Sequence, residues 1–79
     1  MTVTVLYFAQ IAEKIGVNRE QFELKDSVNT ADLVSILKDK YPQITEQKFK
    51  IAVNQLLLQG EKELEDGAEI ALLPPFAGG

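Results

Sequence analysis

The stretch VTVLYF, residues 3–8, indicates how the domain is built. It is rich in β-branched and aromatic residues, which predicts a β-strand. Successive side chains of a strand point to opposite faces, and here both alternating sets are mostly apolar. These sets are Val3, Val5 and Tyr7 on one side and Thr4, Leu6 and Phe8 on the other. We therefore expect both faces to find cover, as in a strand inside a sheet.

Three further stretches predict strands. AEIALL, residues 68–73, is again strongly apolar, and Pro74 and Pro75 prevent its continuation inside a sheet. EQFELK, residues 20–25, alternates as a half-buried edge strand does, and KIAVNQLLLQ reads as two strands joined by a turn. Because the first and last strands are the most hydrophobic, we expect them to lie together at the centre of the sheet.

A longer helix is predicted between the strands. Asn29 or Thr30 can cap its start, and Pro42 ends it by disfavouring helical geometry in the residue before it. Its apolar stripe is Leu33, Ile36, Leu37 and Tyr41. We expect the first three of these in the core, and Tyr41, like Tyr7, to be an ordinary half-buried aromatic. A shorter helical segment, AQIAEKIG, stops naturally at Gly16.

This order of elements predicts an α+β fold of the β-grasp (ubiquitin-like) type, a mixed sheet with one main helix across one face. We expect a single domain over residues 1–79, with a folded body over residues 1–73 and an extended tail over residues 74–79. One helix covers only one face, so the other face would expose parts of Leu6, Phe8 and Leu73. A contiguous exposed apolar patch on a small domain usually marks a partner.

The composition excludes several classes of function. The chain has no His and no Cys, so imidazole or thiolate metal sites and Ser-His or Cys-His nucleophiles are absent. We expect no bound metal or cofactor. A net charge of −4 disfavours nucleic acids and anionic membranes as partners. No apolar run is long enough to span a bilayer and the start lacks a secretory signal, which predicts a cytoplasmic protein.

The chain ends in LLPPFAGG, residues 72–79. Such an end can be a frayed terminus or the working part of the protein. Pro74 and Pro75 restrict the backbone, Phe76 can anchor in a partner's pocket, and two glycines without side chains can thread a narrow channel. The one reactive group that this end offers is the carboxylate of Gly79.

Four stretches together resemble a known family. They are VLYFAQIAEKIG at residues 5–16, VNTADLVSIL at 28–37, AVNQ at 52–55 and LEDGAEIALLPPFAGG at 64–79. They span nearly the whole chain and are similar to the MoaD type of small, sulfur-carrying subunit of molybdopterin synthase, within the MoaD/ThiS ubiquitin-like family. The combination of the FAQ segment with the Pro-Pro and Gly-Gly ending is the most specific part of the resemblance.

The resemblance implies a mechanism centred on the last residue. An E1-like adenylyltransferase would use ATP and magnesium to adenylate Gly79, and a sulfur donor protein would convert it to a thiocarboxylate. The tail would then insert into the large subunit, which would supply the catalytic residues in a heterotetramer of two small and two large subunits. There the sulfur would pass to cyclic pyranopterin monophosphate to form the molybdopterin dithiolene.

The resemblance also implies roles for individual residues. Gly79 would carry the sulfur, and the inserted segment would be Pro74, Pro75, Phe76, Ala77 and Gly78. The interface with the large subunit would be formed by Leu6, Phe8, Leu73 and Phe76. Two alternatives share the fold and the terminal glycines, namely the sulfur carrier of thiamine biosynthesis and a ubiquitin-like protein modifier.

Overall fold

The computed structural model describes residues 1–77, and Gly78 and Gly79 lie outside the described residues. In chain order the elements are β1 (Thr2–Tyr7), α1 (Ala9–Ile15), β2 (Arg19–Glu23), α2 (Thr30–Lys40), a 3-10 turn (Pro42–Ile44), β3 (Lys50–Val53), β4 (Leu56–Leu57) and β5 (Glu69–Leu73). The strands form one mixed five-stranded sheet in the order β2-β1-β5-β3-β4. The architecture is the β-grasp fold that the sequence predicts.

The first and last strands lie side by side and parallel, with Val5 opposite Ile70, while the other strand pairs are antiparallel. The central position expected for β1 and β5 is therefore confirmed, and β2 is an edge strand as predicted. The two-stranded hairpin of β3 and β4 turns at Asn54 and Gln55, both of which have positive φ. Two successive positive φ values are typical of the turn that best matches the twist of a hairpin.

The core fills one face of the sheet. It is formed by Val3, Val5 and Tyr7 of β1, Ile70 and Leu72 of β5, Leu33 and Leu37 of α2, and Ile11, Ile44, Val53, Leu64 and Ala68.

Two expectations from the sequence about burial are wrong. β1 is not covered on both faces, because Leu6 is only half-buried and Phe8 is 43% exposed. Ile36 is 36% exposed, because the buried line of α2 runs through Thr30, Leu33 and Leu37 and leaves Ile36 on its flank.

Local signals set the helix ends. Asn29 caps α2 in a capping box. Its side-chain oxygen accepts a hydrogen bond from the backbone amide of Asp32, and the Asp32 carboxylate accepts one from the backbone amide of Asn29. α2 stops at Lys40, two residues before Pro42. Gly16 caps α1 with a φ of 92°, where a side chain would be strained. Within residues 1–77, no helix is long and apolar enough to cross a membrane.

Candidate functional site: the open face and the tail

The face of the sheet opposite the core, here called the open face, carries a row of apolar side chains. Directly paired residues of neighbouring strands point to the same face. Leu6 pairs with Ala71, Ala71 with Ala52, and Ala52 with Leu57, so the four side chains form one line across β1, β5, β3 and β4. Leu6 and Ala71 are half-buried, Ala52 is buried and Leu57 is 44% exposed. The exposed parts of this row form an apolar surface that a partner can cover.

Leu57 is a member of this row that sequence reasoning missed. The signal was present in the run of three leucines that follows the Asn54 turn. Only the register of the hairpin, which pairs Leu57 with Ala52, shows which of the three lies on the open face. Leu73 is on the same face, one row nearer the end of the chain, where it pairs with Lys50.

Phe8 connects the open face to the tail. It directly follows β1 and is the N-cap residue of α1, with no capping hydrogen bond from its side chain. Phe8 lines a groove of about 260 Å³ together with Pro74, Pro75 and Phe76. It also lines a more open hollow with Leu6. The structure therefore brings the residues expected at an interface to one end of the molecule, with Phe76 the most exposed at 78%.

The tail, residues 74–79, begins with a turn. The amide of Ala77 donates a hydrogen bond of 3.0 Å to the carbonyl of Pro74, so residues 74–77 fold back rather than extend as we expected. The reason lies in Pro75, because a proline at the second position of a β-turn has the required φ. Gly78 and Gly79 lie outside the described residues.

A lysine side chain is hydrogen-bonded to this tail turn. The ammonium group of Lys50, the first residue of β3, donates a hydrogen bond of 3.1 Å to the carbonyl of Ala77. Both backbone polar groups of Ala77 are thus hydrogen-bonded, the amide to Pro74 and the carbonyl to Lys50. Sequence reasoning gave Lys50 no role, because the contact joins residues 27 positions apart.

The main polar cluster of the molecule has a structural role. The Glu20 carboxylate on β2 accepts hydrogen bonds from the hydroxyls of Tyr7, at 2.9 Å, and Tyr41, at 2.7 Å, and forms an ion pair with Lys40. Burial acts to raise the pKa of Glu20, but the hydrogen bonds from Lys40, Tyr41 and Tyr7 outweigh it and hold the pKa below its usual range. Burial is the main cause that raises the pKa of Tyr7, and the hydrogen bond to Glu20 raises it further.

Among residues 1–77, no group of three or more carboxylate, thiol or imidazole side chains is arranged to hold a metal ion. The described part of the chain thus offers a partly exposed apolar surface, a groove and the base of a tail. The reactive group expected from the sequence, the carboxylate of Gly79, lies beyond it.

Comparison with known proteins shows the relationships of the chain. A family model described as the ThiS family matches residues 5–79. The chain is 37% identical to the molybdopterin synthase sulfur carrier subunit of Chlamydomonas reinhardtii over the full length of both. It is 36% identical to that of Mycobacterium tuberculosis, over 98% of this chain and 96% of the relative.

Solved structures extend the comparison. Subunit 1 of a molybdopterin converting factor from Pyrococcus furiosus has a TM-score of 0.88 and 28% identity, over 95% of this chain and 98% of its own. A structure from Helicobacter pylori, a complex of subunits 1 and 2 of molybdopterin-converting factor, matches with a TM-score of 0.72 and 30% identity over the whole of both chains. The small archaeal modifier protein 1 of Methanosarcina acetivorans has a TM-score of 0.76 and 26% identity, over 99% of this chain and 96% of its own.

Proposed function

Since the chain belongs to the ThiS family, we propose that it is the sulfur carrier subunit of a molybdopterin synthase. The observation that carries the proposal is the position of β5. This strand contributes Ala71 and Leu73 to the open face and runs directly into the tail at Pro74. A partner that covers the open face therefore receives the end of the chain at the rim of the same interface. The names of the full-length relatives support the choice of reaction.

The chemistry begins with activation of the last carboxylate. A carboxylate is a poor electrophile, so an E1-like enzyme with ATP and magnesium converts Gly79 to an acyl-adenylate with release of pyrophosphate. A sulfur donor then displaces AMP and leaves a C-terminal thiocarboxylate. Its sulfur is anionic at neutral pH and is a good nucleophile for the same reason that a thiolate is.

The sulfur is then delivered inside the large subunit. The thiocarboxylate sulfur attacks a carbon of cyclic pyranopterin monophosphate and displaces an oxygen substituent, which gives a thioester between Gly79 and the pterin. Water hydrolyses this thioester, so Gly79 leaves as a carboxylate and the sulfur stays on the pterin. A second thiocarboxylated chain supplies the other sulfur of the dithiolene. This chain acts as a non-catalytic donor, because it contains no His or Cys and the large subunit supplies the acid and base groups.

The docking surface for the large subunit is the open face together with Phe8. Leu6, Leu57 and Leu73 give it an apolar centre, which is typical of the buried core of an interface. The match to a chain from a complex of two different subunits supports a partner of this kind. We propose a heterotetramer of two small and two large subunits.

Mass spectrometry of the protein isolated from its native cells tests the function. The expected product is the intact chain with one C-terminal oxygen replaced by sulfur, which should disappear when the E1-like enzyme is deleted. Isolation of the chain only as conjugates to lysine side chains of other proteins would instead assign it to the protein modifiers, a reading that the likeness to the Methanosarcina acetivorans modifier favours.

A reconstituted reaction separates the two sulfur-carrier pathways. The thiocarboxylated chain should convert cyclic pyranopterin monophosphate to molybdopterin when the large subunit is added. If it fails there but supplies sulfur to thiazole formation, the thiamine pathway is the correct assignment.

A further inference from the structure

Lys50 is placed where the open face and the tail meet. In the register of β3 and β5 it lies directly opposite Leu73, the last residue of β5, so both side chains point to the open face. The same side chain reaches the carbonyl of Ala77. Lys50 therefore belongs at once to the surface proposed for docking and to the contacts that fold the tail back.

Two hydrogen bonds of the tail turn, residues 74–77, are described. One joins Ala77 to Pro74 within the turn, and the other comes from Lys50 in the body of the protein. Phe76 is 78% exposed. A surface turn with such an exposed side chain is expected to open at small free-energy cost, so the loss of one hydrogen bond can change its population.

We propose that Lys50 is a latch that holds the tail turn folded back in the free protein and releases it when a partner covers the open face. An ammonium group is strongly hydrated and is costly to bury without a good acceptor. A partner that covers Leu73 removes water from Lys50, which then turns outward or exchanges the neutral Ala77 carbonyl for a carboxylate at the rim of the partner. Docking and opening of the tail are thereby coupled.

The biological purpose of this latch rests on the proposed function, but its presence in the free protein does not. The first experiment therefore uses the free protein alone. Backbone ¹⁵N relaxation of Phe76 and Ala77 is measured for the wild type, Lys50→Met, Lys50→Arg and Lys25→Met. Met keeps an unbranched side chain without the donor, and Arg keeps the donor. Lys25 is an exposed lysine beside the start of β1, at the end of the sheet away from the tail turn. In Lys50→Met the order parameters should fall toward the flexible range, below roughly 0.6, whereas the other two variants should resemble the wild type.

Equal mobility of Phe76 and Ala77 in the wild type and Lys50→Met overturns the latch. So does an equal loss of order in Lys25→Met, since that result would reflect the general loss of positive charge. Both outcomes are independent of any sulfur chemistry, so neither bears on the proposed function.

The second experiment measures the consequence. If the closed turn must open before an enzyme can bind the tail, the closed fraction raises the apparent KM for this chain. Lys50→Met should then lower the KM of the E1-like activating enzyme for the chain by about two- to fivefold with kcat unchanged. A KM that stays the same or rises contradicts the proposal. If the enzyme activates neither the wild type nor Lys50→Met, the proposed function is wrong, and the relaxation result is unaffected.

Discussion

Glu20 joins three elements through one carboxylate. It accepts from Tyr7 on β1 and Tyr41 at the end of α2, pairs with Lys40, and itself lies on the edge strand β2. The Tyr7 and Tyr41 rings also pack edge to face at 6.2 Å between centroids. Sequence reasoning treated both tyrosines as ordinary half-buried aromatics, because nothing local predicts an acceptor shared between them.

The Glu20 cluster gives a prediction with a pH dependence. Glu20→Gln should lower the free energy of unfolding at pH 7 by about 1 kcal/mol, since it removes the charged acceptor. The folded-state pKa of Glu20 is depressed, so this contribution is complete above its ordinary pKa and is lost as the pH falls through the folded value. The difference between wild type and variant, from urea denaturation, should shrink between about pH 5 and pH 3.

The control for this prediction is Glu13→Gln, which changes an exposed glutamate on α1. At neutral and at acidic pH alike, this variant should have a free energy of unfolding within about 0.5 kcal/mol of that of the wild type. A difference between wild type and Glu20→Gln that grows on acidification would contradict the direction assigned to the pKa of Glu20.

Gly78 and Gly79 carry a second prediction at the scale of single residues. Gly78→Leu, or deletion of Gly79, should abolish sulfur transfer. In the proposed mechanism, a side chain at residue 78 would block insertion of the tail into the large subunit, and the deletion would displace the reactive carboxylate. The midpoint of thermal unfolding should stay nearly unchanged, since the core is built from residues 3–72. Molybdopterin formation by the Gly79 deletion variant in a reconstituted assay would show that the mechanism is wrong.

At the scale of elements, α2 depends on its N-terminal cap. Asn29→Ala removes the acceptor of the Asp32 amide and dismantles the capping box. The expected loss in free energy of unfolding is about 1 kcal/mol, measured by chemical denaturation. Asn18→Ala, a change to an exposed asparagine between α1 and β2, should have little effect. Equal losses in both variants would mean that the cap contributes nothing specific.

The same scale shows why the helix stripe was only partly predicted. Periodicity identifies the side of α2 that is apolar, and Leu33 and Leu37 are indeed buried. The width of the contact depends on how the helix lies across the sheet, which periodicity does not contain. Ile36 consequently falls on the flank, and Thr30 takes a buried position that hydrophobicity alone does not predict.

At the scale of the whole molecule, the open face predicts the effect of charges on assembly. Phe8→Asp and Leu57→Asp should each weaken binding to the large subunit by roughly tenfold to a hundredfold, as expected for central interface residues. Phe8 occupies the N-cap of α1, where Asp is a favourable residue, so this variant should remain folded. Calorimetric titration of the purified large subunit measures the affinity.

Ile36→Asp is the matched control, because it introduces the same charge at a part-exposed apolar residue on α2. Its affinity for the large subunit should equal that of the wild type once folding has been verified by circular dichroism. If Ile36→Asp weakens binding as much as Phe8→Asp does, the large subunit does not bind specifically to the open face.

Composition, periodicity and capping residues were enough to predict the kind and order of the elements, the central place of β1 and β5, and the lack of His and Cys chemistry. These signals act over a few neighbouring residues. The row that joins Leu6 to Leu57, the shared carboxylate of Glu20 and the contact between Lys50 and Ala77 are visible only in the folded chain. Each of these depends on strand register or on contacts between residues far apart in the chain, and a shift of register by one residue would have turned the same side chains to the other face.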